Sequence, residues 1–105
     1  MENEFEENFR KDIQNIAEEI NKLYEDGELF DSCYINDCLD IEYRCNARKE
    51  YRSCEICIGY GGPDIFIDTQ DAYVKEYWGS CEVQYPIKYE VSDAIDDYME
   101  EMFNC

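Results

Sequence analysis

Residues 64–87 read DIFIDTQDAYVKEYWGSCEVQYPI. This stretch divides into three runs rich in β-branched and aromatic residues: DIFID (64–68), YVKEYW (73–78) and CEVQYPI (81–87). TQDA and the pair Gly79-Ser80 separate them. Connections this short join antiparallel strands, because a parallel crossover needs a dozen or more residues. The stretch therefore predicts a β-meander. GGP at 61–63 breaks the chain ahead of it.

The same periodicity continues toward the N-terminus. Leu39, Ile41 and Tyr43 alternate with Asp40, Glu42 and Arg44. NARKE (46–50) then makes a turn, and Cys54, Ile56 and Ile58 alternate with Ser53, Glu55 and Cys57. LFDSCYI (29–35) reads as another strand or an irregular connection. Over residues 3–25 the period changes. Phe5, Phe9, Ile13, Ile16, Ala17, Ile20, Leu23 and Tyr24 recur in steps of three and four, which is one face of an α-helix, and Gly27 suits its end. SDAIDDYMEEMFNC (92–105) predicts a last helix with Ser92 as its N-cap. Its apolar face is Ile95, Tyr98, Met99, Met102 and Phe103. The expected architecture is α+β: an N-terminal helix, an antiparallel β-sheet of four to five strands and a C-terminal helix, in one domain over 1–105. Both helices pack on the sheet.

Composition limits what such a domain can bind. The chain has 105 residues, 45% of them hydrophobic, and a formal net charge of −18. That charge repels nucleic acid and anionic membranes and complements a basic protein surface. The segment MENEFEENFRKD at the N-terminus lacks the apolar core of a signal peptide, and no run is long enough to span a membrane. A cytoplasmic location follows as the expectation, with the seven cysteines present as reduced thiols.

Side-chain chemistry points away from catalysis. The absence of histidine removes the commonest general base and the usual catalytic triads. GYGGPD lacks the Lys-Ser/Thr of a phosphate-binding loop and reads as a turn. Asp64 and Asp68 share a strand face but are too few for a dedicated cation site. Cys54 and Cys57 form a CxxC inside a strand pattern, where residues three apart face opposite sides. Joined by Cys33 and Cys38 they would make a four-thiolate zinc site, the alternative reading. Free thiols acting as small hydrophobes are the preferred one. No catalytic residue, metal or cofactor is expected.

The charge is grouped. Residues 1–31 hold 11 acids and 3 bases, residues 32–60 hold 5 and 4, and residues 61–105 hold 11 and 2. In the last helix Asp93, Asp96, Asp97, Glu100 and Glu101 stand at like-charge spacings of three and four, each pair costing about 0.2–0.5 kcal/mol when exposed. Five charges over about 12 Å give one per roughly 2.4 Å, against one per ~1.7 Å for duplex DNA. Asp68, Asp71, Glu76 and Glu82 of the hairpins, with Tyr77 beside them, extend this candidate surface. Carboxylates with exposed tyrosine engage Arg-rich partners.

GGPDIFIDTQDAYVKEYWGS (61–80) and VSDAIDDYMEEMF (91–103) resemble small acidic anti-CRISPR and anti-restriction proteins of phages and bacterial mobile elements, many of them DNA mimics. The resemblance covers the C-terminal half and rests on overall pattern and charge. The Cys-rich middle departs from that group. The resemblance implies an inhibitor that acts in the bacterial host cytoplasm. It would bind a CRISPR effector where target DNA or its protospacer-adjacent motif binds.

Overall fold

A computed structural model describes residues 4–61 and 63–105, apart from the side chains of residues 4–7 and 9. Helix α1 (Glu4–Glu25) leads into a 3-10 turn (Leu29–Asp31) and a single-turn helix α2 (Cys33–Asn36). Five strands follow: β1 (Asp40–Cys45), β2 (Tyr51–Gly59), β3 (Asp64–Asp68), β4 (Tyr73–Trp78) and β5 (Cys81–Pro86). Helix α3 (Tyr89–Phe103) closes the chain. The strands pair in sequence order and antiparallel throughout. The meander and the α+β class are as the sequence indicates, with five strands. The segment 29–35 is helical turn rather than strand. No helix among the described residues is long and apolar enough to cross a membrane.

Antiparallel partners share a sheet face, so the register sorts the side chains. Ile41, Ile56, Ile67, Val74 and Tyr85 form one row across all five strands. Ile56, Ile67 and Val74 in its centre are fully buried. Both helices cover this face. Helix α1 lies over β4 and β5 and α3 over β2, with Ile13, Ala17 and Ile20 from one and Val91, Ile95 and Met99 from the other completing the core. Phe5 and Phe9, part of the expected stripe on α1, lie outside the described side chains.

The helix ends follow from local chemistry. Gly27 at φ +72° permits a Schellman motif: the Glu28 N–H donates to Leu23 O at 2.8 Å and the Gly27 N–H to Tyr24 O at 3.1 Å. At α3 the sequence expectation is corrected. The helix begins at Tyr89 with Lys88 at the N-cap, and Ser92 lies inside it, buried. The Ser92 hydroxyl instead donates to Thr69 O at 3.1 Å. Thr69 in turn receives the Cys54 N–H on its own hydroxyl at 2.9 Å, so the β3–β4 corner joins β2 to α3. Starting one turn earlier, the buried seam runs Val91, Ile95, Met99, each four residues apart. Met102 falls off it and is 51% exposed.

Among the described residues, no helix covers the second sheet face. Its central row is Glu42, Glu55 and Asp68, three carboxylates on neighbouring strands. Arg44 grips Asp68 with two parallel bonds of 2.8 and 3.0 Å and reaches Glu55 at 3.4 Å. Lys75 contacts Asp68 at 3.3 Å and Asp71 at 2.9 Å. Replacing Arg44 by Met should cost about 2 kcal/mol, less than a fully buried pair because Arg44 keeps contact with water. Combining it with Asp68→Asn should recover part of that loss in urea unfolding, whereas additive losses would show the two side chains to be uncoupled.

Candidate partner-binding surface

The ten residues singled out as a contact surface separate into three environments. Asp93, Asp97, Glu100 and Glu101 are exposed on α3, joined there by Glu90. Val91, Ser92, Ile95 and Met99 fix the opposite side of that helix in the core, so these carboxylates stand on a rigid support. The last turn of α3 contains no basic residue. Asp96 is corrected to a structural role: it is half-buried and accepts a 2.6 Å bond from the Tyr51 hydroxyl. That bond ties α3 to β2 beside the ring cluster of Tyr43, Tyr51 and Phe103.

The open sheet face holds Asp68, Asp71, Tyr77 and Glu82. Asp68 is 4% exposed, so it offers almost nothing to a partner. Burial pushes its carboxyl up, but Arg44, the Gln70 amide and Lys75 outweigh this and hold it below its ordinary range. Glu55 beside it is raised, first by burial and then by the Asp68 charge. Asp71 is exposed but ion-paired with Lys75. Glu82 is exposed opposite Tyr77, which packs edge-on against Phe66.

Glu76 belongs to neither surface. Strand alternation puts it with Val74 on the helix-covered face, where it is 1% exposed and its Oε2 has no hydrogen-bond partner among the described residues. Burial and then the nearby Asp12 carboxylate on α1 push its pKa up to about 7. It is a protonated core residue at mildly acidic pH, not a contact residue.

Helix α1 adds further exposed carboxylates on the same side of the sheet, interspersed with exposed Arg10, Lys11 and Lys22. Asp12, Glu18, Glu19, Glu25, Asp26 and Glu28 are exposed on or just after this helix. The two helices are linked at one end: Lys88 at the start of α3 pairs with Glu25 at 2.9 Å, and its N–H donates to the Asn21 side chain at 3.1 Å. The signal for these acids was the polar stripe opposite the apolar one on α1. Only the packing of both helices on one sheet face makes it continuous in kind with the α3 stripe.

The four thiols of the zinc alternative are not brought together. Cys54 is buried on the helix-covered face and Cys57 on the open face, where its thiol contacts Gly59 O at 3.3 Å. Cys33 is exposed and Cys38 half-buried. No group of three or more His, Cys, Asp or Glu among the described residues is placed to hold a metal. Burial raises the pKa of Cys38, Cys54 and Cys57, which keeps them as weakly reactive thiols.

Comparison with protein-family models, with curated proteins and with solved structures finds no match to this chain. The chemistry of its own surface therefore carries the functional reading.

The buried carboxyl has a consequence for stability. Unfolded, Glu76 titrates near 4.5; folded, it keeps its proton to about 7. The folded state binds the extra proton between these values, so its contribution is complete below the unfolded pKa and is lost as pH rises to about 7. The slope should approach 1.4 kcal/mol per pH unit, roughly, within that window. Glu76→Gln should flatten the fall and raise the urea midpoint at pH 8. A wild-type midpoint equal to that of the variant at both pH 5 and pH 8 would contradict a buried, protonated Glu76.

Proposed function

We propose that the chain is an anti-CRISPR-type inhibitor that works by occupancy and performs no chemistry of its own. Its acidic helix layer would sit on the basic surface through which a CRISPR effector takes up target DNA and the protospacer-adjacent motif. The observation that carries this reading is the rigid row Asp93, Asp97, Glu100 and Glu101. These side chains are exposed on a helix whose other side is locked into the core. Uncompensated like charges at helical spacing destabilise a helix, so their retention on a fixed support is explained by a cationic partner.

The distribution of cations supports the same reading. Arg44 and Lys75 engage internal carboxylates of the sheet, and Lys88 joins the two helices. Among the described residues, no ion pair reaches Asp93, Asp97, Glu100 or Glu101. A partner that binds phosphates offers the complementary charge, and the field of the layer would accelerate encounter. The choice of a CRISPR effector, and of the bacterial cytoplasm as the setting, rests on the resemblance of residues 61–80 and 91–103.

Replacing Asp97, Glu100 and Glu101 together by Gln tests this directly. Losing the like-charge pairs should raise stability by a few tenths of a kcal/mol per pair. The same change should weaken competition with DNA for the effector by about 1.5 kcal/mol or more, because desolvated interface charges couple strongly. A variant that melts higher and still competes at full strength would show these carboxylates to be a solvated face. Loss of competition with DNA for a restriction enzyme, but not for an effector, would move the assignment to the anti-restriction class.

A further inference from the structure

A different surface lies at one end of the sheet, where β1, β3 and β5 begin and β2 and β4 end. Leu39 (60% exposed), Tyr60 (79%) and Trp78 (44%) are large hydrophobic side chains left in contact with water, and all three sit at this end. Two shallow concavities meet there and share Tyr60. One of ≈ 510 Å³ is walled by Tyr60, Asp64, Tyr77 and Trp78; the other, of ≈ 420 Å³, by Leu39, Asp40, Tyr60 and Phe66. Grouped exposed aromatics of this kind are characteristic of interface anchors.

The charge around them selects the occupant. Asp40 and Asp64 line the concavities, and among the described residues no Lys or Arg lines either one; Glu82, opposite Tyr77, lines a separate depression with Arg10. The mixture of aromatic faces with carboxylates and without cations matches guanidinium chemistry. The planar cation stacks on the rings while its N–H groups bond carboxylate oxygens. Other occupants are disfavoured on the same grounds. A symmetric dimer through this patch would oppose identical carboxylates on chains of net charge −18. Nucleic acid would bring phosphates to an acidic rim.

We propose that the aromatic end of the sheet is a second docking surface that takes an arginine-bearing segment of a basic protein, with the guanidinium seated between Tyr60 and Tyr77, next to Trp78. This inference does not rest on the effector reading, since the residues involved lie away from the outer face of α3.

Trp78 is the only tryptophan of the chain, so its fluorescence reports on this surface directly. The test titrates the full chain with tetra-arginine and tetra-lysine peptides at physiological ionic strength. Tetra-arginine should change the Trp78 emission and bind roughly threefold or more tightly than tetra-lysine of equal charge. Tyr60→Ala should weaken that response by roughly threefold or more. Asp97, Glu100 and Glu101 replaced by Gln should leave the Trp78 response in place, whatever happens to competition with DNA. Equal responses to both peptides, a silent Trp78, or a response indifferent to Tyr60→Ala would overturn the proposal. A concentration-dependent dimer in sedimentation that itself shifts Trp78 emission would assign the surface to a second copy instead, and would also overturn it.

Discussion

Three carboxylates side by side on adjacent strands, Glu42, Glu55 and Asp68, are the constraint on which the rest of the structure depends. Like charges directly opposite each other oppose strand pairing, and Asp68 is almost fully removed from water. The sheet closes because Arg44 spans from β1 to Glu55 and Asp68, while Lys75 approaches Asp68 from β4. The Gln70 N–H adds a bond of 2.9 Å from the corner that follows. With Asp68 satisfied, the next residue is placed for its own contacts. Thr69 binds Cys54 of β2 through its hydroxyl and accepts Ser92 of α3 through its carbonyl. One corner thereby fixes four strands and a helix.

This arrangement separates the two sides of the molecule. On the open face, Arg44 and Lys75 engage Asp68, Glu55 and Asp71 at short range. On the other side, two amphipathic helices bury their apolar stripes against the sheet and turn their carboxylates outward. Arg10, Lys11 and Lys22 are exposed among the acids of α1, whereas α3 has no cation after Lys88 at its N-cap. The uncompensated row of carboxylates therefore lies on α3, which is the physical basis for reading its outer face as complementary to a phosphate-binding site.

Short connections and strict alternation made the meander legible in the sequence, and the three-to-four residue steps with Gly27 made α1 legible. The errors have a common origin. Alternation groups residues by face but does not say which face is covered. In YVKEYW the sets Tyr73, Lys75, Tyr77 and Val74, Glu76, Trp78 are both partly apolar, so nothing local shows that Glu76 goes inward. Asp68 looked like a surface acid because its partner Arg44 lies 24 residues away. Ser92 looked like a cap because a hydroxyl before acidic residues is a local signal, whereas its partner Thr69 is set by the tertiary fold. Tyr51, which claims Asp96, is likewise distant in sequence. The aromatic end of the sheet is formed by residues that flank four different strands, and only the register brings them together.

The most direct measurement is carboxyl footprinting of the chain, free and mixed with a CRISPR effector of the class proposed as its target, with labelling at each Asp and Glu read by mass spectrometry. Asp93, Asp97, Glu100 and Glu101 should label readily in the free chain and be protected in the complex, while Glu76 and Asp68 should label poorly in both. Unchanged labelling of the four α3 carboxylates on complex formation, with protection elsewhere, would contradict the claim that the acidic helix layer is what the partner recognises.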